Sequence, residues 1–175
     1  MKTRIANILF VALVSAICLS GFSQTSFGQA RPSSKTSDLS IGPLSLLVQG
    51  VISVQYEWKA SQTTSWALRG EFVPTSGNFH AFGVGAAYRF YVADSRAITG
   101  LSAAPALDLF FFGSSALQQN YTILSIGGDL AYKWIFDQFS VEPLVGVRIG
   151  VTGGQSVSAF SGFYPLFDCF LGYAF

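Results

Sequence analysis

From residue 122 to residue 151 the chain alternates, position by position, between two chemically different faces. Thr122, Leu124, Ile126, Gly128, Leu130, Tyr132, Trp134 and Phe136 share one parity; Ile123, Ser125, Gly127, Asp129, Ala131, Lys133 and Ile135 share the other. After Asp137-Gln138 the parity swaps. Phe139, Val141, Pro143, Val145, Val147, Ile149 and Val151 now oppose Ser140, Glu142, Leu144, Gly146, Arg148 and Gly150. A period of two is the signature of a strand. Two long strands joined by two residues predict an antiparallel hairpin. One face is almost purely aliphatic and aromatic, while the other mixes glycine, alanine, serine and charge. A soluble sheet turns its clean apolar face to a core; a membrane barrel turns it to lipid.

The same alternation recurs over residues 51–59, 65–73, 79–92, 101–112 and 163–175. Within all these segments the charges fall on one parity: Glu57, Lys59, Arg69, Glu71, Arg89, Asp108, Asp129, Lys133, Glu142, Arg148 and Asp168. Asp94, Arg96 and Asp137 fall in predicted turns. Random placement would divide charges between the faces. An arginine or lysine on a lipid-facing position at mid-bilayer costs about 2–4 kcal/mol, which accounts for the bias. A soluble lipocalin-like barrel would want the reverse, an apolar interior and a charged exterior.

Composition points the same way. Only 11% of the 175 residues are charged and 50% are hydrophobic, where a soluble domain carries about 25% charge. Yet residues 31–175 contain no apolar run long enough for a membrane helix. The formal net charge of +1 gives no electrostatic basis for binding nucleic acid. At the N-terminus, Lys2 and Arg4 precede an apolar run from Ile8 to Leu19, followed by small residues. Residues 1–30 thus read as a secretory signal peptide, cleaved after Ser23 or after Ala30. Cys18 follows Ile17, which does not suit a lipoprotein site, and leaves with the signal. Cys169 then stands alone, on the lipid-facing parity, as a small hydrophobe.

Residues 31–38 read as a short polar leader and 39–175 as a single barrel domain. The alternating segments number seven, whereas a single-chain bacterial outer-membrane barrel has an even number of strands. Residues 39–48 supply the missing first strand, although Pro43 interrupts it. The prediction is an all-β, eight-stranded antiparallel up-and-down transmembrane β-barrel. Outer loops are predicted at 74–78, 113–120 and 153–162, with periplasmic turns at 60–64, 93–99 and 137–138. In that arrangement Trp58, Trp66, Phe90, Trp134, Phe136, Phe139, Tyr173 and Phe175 come to one level as an interfacial aromatic girdle.

The blocks Val51-Ile52-Ser53-Val54-Gln55-Tyr56-Glu57, Gly85-Ala86-Ala87-Tyr88-Arg89-Phe90-Tyr91 and Gly128-Asp129-Leu130-Ala131-Tyr132-Lys133-Trp134-Ile135-Phe136 are similar to recurring strands of small, mostly uncharacterised outer-membrane β-barrel families of Gram-negative bacteria, with the OmpA-type barrel shape. Phe175, with Tyr173 and Leu171 on the same face, resembles the C-terminal signal read by the barrel assembly machinery. The resemblance implies fold and location: the outer membrane, with lipid and lipopolysaccharide as surroundings and a monomeric state. It does not choose among the anchors, adhesion proteins and lipid-modifying enzymes that share this shape.

Chemistry is sparse. Beyond the signal the one histidine is His80, the only imidazole base open to a lipid A deacylase-like serine mechanism. Such an enzyme wants a serine two residues on, where this chain has Phe82; Glu71 or Asp108 would have to orient the ring. No cofactor or metal motif is present, and no amphipathic helix is predicted. The inward charges, Glu57, Arg69, Glu71, Arg89, Asp108, Asp129, Lys133, Glu142, Arg148 and Asp168, read as an interlocked network filling the lumen, because eight strands leave an interior just wide enough for side chains. The alternatives are a narrow channel for small solutes and a lipid-modifying enzyme using His80.

Overall fold

The computed structural model describes residues 35–76, 79–92, 98–114, 119–151 and 162–175. The predicted signal peptide and residues 31–34 of the predicted leader lie outside these. The strands are β1 (Ser37–Ile41), β2 (Ile52–Lys59), β3 (Thr64–Ser76), β4 (Phe79–Tyr91), β5 (Gly100–Ser114), β6 (Gln119–Phe136), β7 (Phe139–Gly150) and β8 (Phe163–Ala174). Each pairs antiparallel with its chain neighbours, and β1 pairs with β8, so the sheet closes into an eight-stranded up-and-down barrel. Closure removes exposed edges wherever the strands are paired.

Alternation sets the two surfaces. Leu107, Ile126 and Leu130 are each 48% exposed on the outside, while Arg89, Lys133 and Arg148 are each 1% exposed within. The outside is therefore apolar and the inside ionic.

The structure corrects the predicted first strand. The chain is extended only over Ser37–Ile41, two residues earlier than predicted, and then forms a helix, α1 (Pro43–Gln49). Proline at the helix start lacks only an N–H that would be orphaned anyway, and Gly50 ends the helix in the left-handed conformation. Ser37 and Asp38, predicted as leader, are paired with Trp58 and Glu57. The absence of any amphipathic helix is corrected as well: Ser45 of α1 is buried and Leu46, Leu47 and Val48 are exposed. No helix among the described residues is long and apolar enough to cross a membrane.

Two of the predicted outer loops are shorter than predicted. β3 continues to Ser76 through a bulge after Val73, where Pro74 has no N–H to give the ladder. β5 and β6 pair out to Ser114 and Gln119. The predicted loops 74–78 and 113–120 thus shrink to 77–78 and 115–118, which lie outside the described residues, as do 93–97 and 152–161. The two-residue link between β6 and β7 is as predicted, with Asp137 at a φ of 60°.

Candidate functional site

The inward residues of successive strands stack in three layers, because each strand places its next inward side chain two positions along. β3 presents Ser65, Ala67 and Arg69; β4 presents Arg89, Ala87 and Gly85; β6 presents Lys133, Ala131 and Asp129; β7 presents Glu142, Leu144, Gly146 and Arg148. An ionic layer lies near the end where β1 begins and β8 finishes. An apolar layer follows, then a second ionic layer.

In the first layer two cations face three carboxylates. Lys133 Nζ lies 2.8 Å from Asp38, 2.5 Å from Glu57 and 2.8 Å from Glu142. Arg89 donates from Nη1 to Glu57 and Glu142, both at 2.8 Å, and its Nη2 lies 2.7 Å from the second Glu142 oxygen. Gln55 accepts from Arg89 at 2.9 Å and donates to Glu142 at 3.1 Å. The hydroxyls of Tyr91 and Ser140 donate to Glu57 and Asp38 at 2.5 and 2.6 Å, and that of Ser65 also donates to Glu57. Six of the eight strands contribute a side chain to this one cluster.

The second layer centres on Arg148. Its guanidinium grips Asp129 at 2.6 and 3.2 Å, pairs with Asp108, and donates to the Val147 carbonyl at 3.1 Å. Arg69 reaches the same Asp129 at 3.2 Å and lies 5.6 Å over the Phe170 ring. A Cβ on Gly127 would collide with the Val147 carbonyl and the Arg148 side chain. The missing side chain is what lets Arg148 lie across the lumen. The space left around Arg69, Asp108 and Arg148 does not admit a water molecule. Between the ionic layers, Ala67, Ala87, Ala104 and Ala106 pack together on one side, and Ala131, Leu144 and Phe170 on the other.

Glu71 and Asp168 stand apart from both ionic clusters. Asp168 accepts from its neighbour Cys169 N–H at 2.8 Å and from the Ser45 N–H of α1 at 3.3 Å. Glu71 lines a cavity of about 300 Å³ in the half of the barrel remote from the chain ends. Members of the first cluster that the charge pattern does not single out are Asp38, Gln55, Ser65, Tyr91 and Ser140, although the last four share the inward parity of the charges on their strands. Asp38 was legible in principle, since Asp38 and Ser40 oppose Leu39 and Ile41.

On the outside, the aromatic residues come to one level at the end where the chain enters and leaves. Trp58 is registered with Trp66, Trp66 with Tyr88, Phe136 with Phe139, and Phe139 with Tyr173. Phe90 meets Tyr88 edge-on at 5.0 Å, Trp134 lies 4.6 Å from Tyr132, and Phe175 lies 6.2 Å from Tyr173. His80 is exposed and its ring covers Gly113 on the next strand. It has the outward parity of Phe82, so Glu71 and Asp108, which face inward, are on the opposite side of the sheet. Neither of these two carboxylates is therefore placed to orient the His80 ring. No group of three or more metal-ligating side chains occurs among the described residues.

No protein-family model matches the chain, and no curated protein matches it. Among solved structures it is similar to the N-terminal β-barrel domain of Pseudomonas aeruginosa OprF, at 15% sequence identity and a TM-score of 0.45, covering 81% of this chain and 97% of that one.

Proposed function

We propose that this chain is an integral outer-membrane protein of a Gram-negative bacterium, a monomeric barrel whose lumen is sealed by its own side chains. Its role is structural or interactive, without catalytic turnover. The observation that carries this reading is the inversion of surfaces: apolar side chains half-exposed around the outside, and arginine, lysine and carboxylates buried within. In water that arrangement would expose a greasy cylinder, whereas in a bilayer it is the stable one. The aromatic level fits an interface between lipid and water. Lipid and lipopolysaccharide are then its immediate surroundings, and the C-terminal strand its handle for the barrel assembly machinery. Removal of residues 1–23 or 1–30 would leave Gln24 or Arg31 as the first residue of the exported protein.

The sealed lumen separates this reading from a channel. Both ionic layers span the interior, and the second leaves no room for water among Arg69, Asp108 and Arg148. Purified protein in planar bilayers is expected to show no steady conductance. A persistent open state under moderate voltage would refute the sealed lumen.

A further inference from the structure

Beyond β1, the barrel wall has a discontinuity. β1 pairs with β8 only from Asp38 to Ile41, against Ala174 to Leu171. From Phe163 to Phe170, β8 has no strand on that side among the described residues, and α1 packs there instead, between β8 and β2. The edge is adapted to this. Pro165 has no N–H to leave unsatisfied, and the N–H of Cys169 is taken by the Asp168 carboxylate. The outer face of α1 is apolar, with Leu47 69% exposed.

The cavity reaches the wall at this break. Val51, just after α1, and Pro165, on the outward parity of β8, both line it, and it continues inward past Leu166 to Phe110, Ile123 and Glu71. Its lining is apolar but for the Glu71 carboxylate and the Tyr164 hydroxyl, which donates to Ser125 at 3.0 Å. Asp38, Glu57, Asp108, Asp129 and Glu142 each touch a cation, and Asp168 accepts two backbone N–H groups; Glu71 feels Arg69 and Arg148 only at longer range and makes no direct ion pair or hydrogen bond among the described residues.

We infer that this cavity binds a single-chain amphiphile with a cationic amine head, entered from the lipid side between β8 and α1. The amine meets Glu71 and the alkyl chain leaves along Leu166 and Pro165 towards the bilayer. An apolar enclosure strengthens such a pair, since no bulk water competes for either partner. The inference rests on the bilayer reading above.

The test uses the whole exported protein in phosphatidylcholine vesicles with two photoreactive probes. A phospholipid with a diazirine in its acyl chain reports the bilayer and should label Leu107 and Ile126. A long-chain alkylamine with a diazirine beside the nitrogen should label Ile123 and Leu166. The matching fatty acid, repelled by Glu71, should label them weakly. Glu71→Gln should cut labelling by the amine about tenfold, the scale of one lost hydrogen bond to a charged group. Ala81→Phe, which fills the cavity, should abolish it; if that variant does not assemble, the comparison of amine with acid on the native chain decides. Outer labelling without cavity labelling, or cavity labelling indifferent to Glu71→Gln, overturns the inference and leaves the bilayer reading standing. Absence of phospholipid labelling at Leu107 and Ile126 overturns both.

Discussion

Lys133 is a compact charge with three carboxylates within 2.8 Å, and it is fully buried. Assembling such a cluster gains little net stability, because desolvation cancels most of the attraction. Removing one member is different, since its partners stay buried and unpaired. Lys133→Met should therefore cost about 3–5 kcal/mol in reversible urea unfolding. A loss under about 1 kcal/mol, the value of an exposed pair, would mean the cluster is hydrated. Gly127 is a steric counterpart: its bare Cα accommodates both the neighbouring backbone and Arg148. Gly127→Ala should cost about 1–3 kcal/mol by overpacking, although alanine is the better strand residue; an unchanged unfolding midpoint would show that Arg148 has another place to lie.

The turn between β6 and β7 illustrates how a single conformation fixes an element. Asp137 holds a left-handed φ of 60°, which a short polar residue tolerates and a β-branched one does not. Asp137→Val should cost about 1–2 kcal/mol, whereas Asp137→Gly should be neutral or slightly stabilising, both read from thermal unfolding. This hairpin was legible because a period of two runs through both arms, 122–136 and 139–151, and swaps only at Asp137-Gln138. α1 was not. Leu44, Leu46, Leu47 and Val48 read as the continuation of a strand, and seven residues are too few for a helical period to declare itself. Pro43 and Gly50, one inside the start and one past the end, were the available signal. Asp38 alternates with Leu39 and Ile41 but follows a polar stretch, so its place in the strand was easily passed over. Nor could parity tell which cation meets which carboxylate. Lys133 and Asp38 are 95 residues apart, and their meeting depends on the stagger of strands around the ring.

For the molecule as a whole the outer surface decides where it can live. Leu107 lies near the middle of β5 and is half-exposed. Leu107→Arg should destabilise the vesicle-embedded barrel by about 2–4 kcal/mol, by urea titration, and should improve solubility if the native surroundings were water. The ionic interior and the greasy exterior are one design read from two sides, with the same alternation supplying both.

The short first strand has a mechanical corollary. Around the ring, β5 and β6 are matched at fifteen positions, but β1 and β8 at only four. A cylinder clasped so briefly is strong against swelling everywhere except at its clasp. Pulled by its C-terminal end, it would unzip there first, shedding β8 from β1 while the remaining hairpins still held.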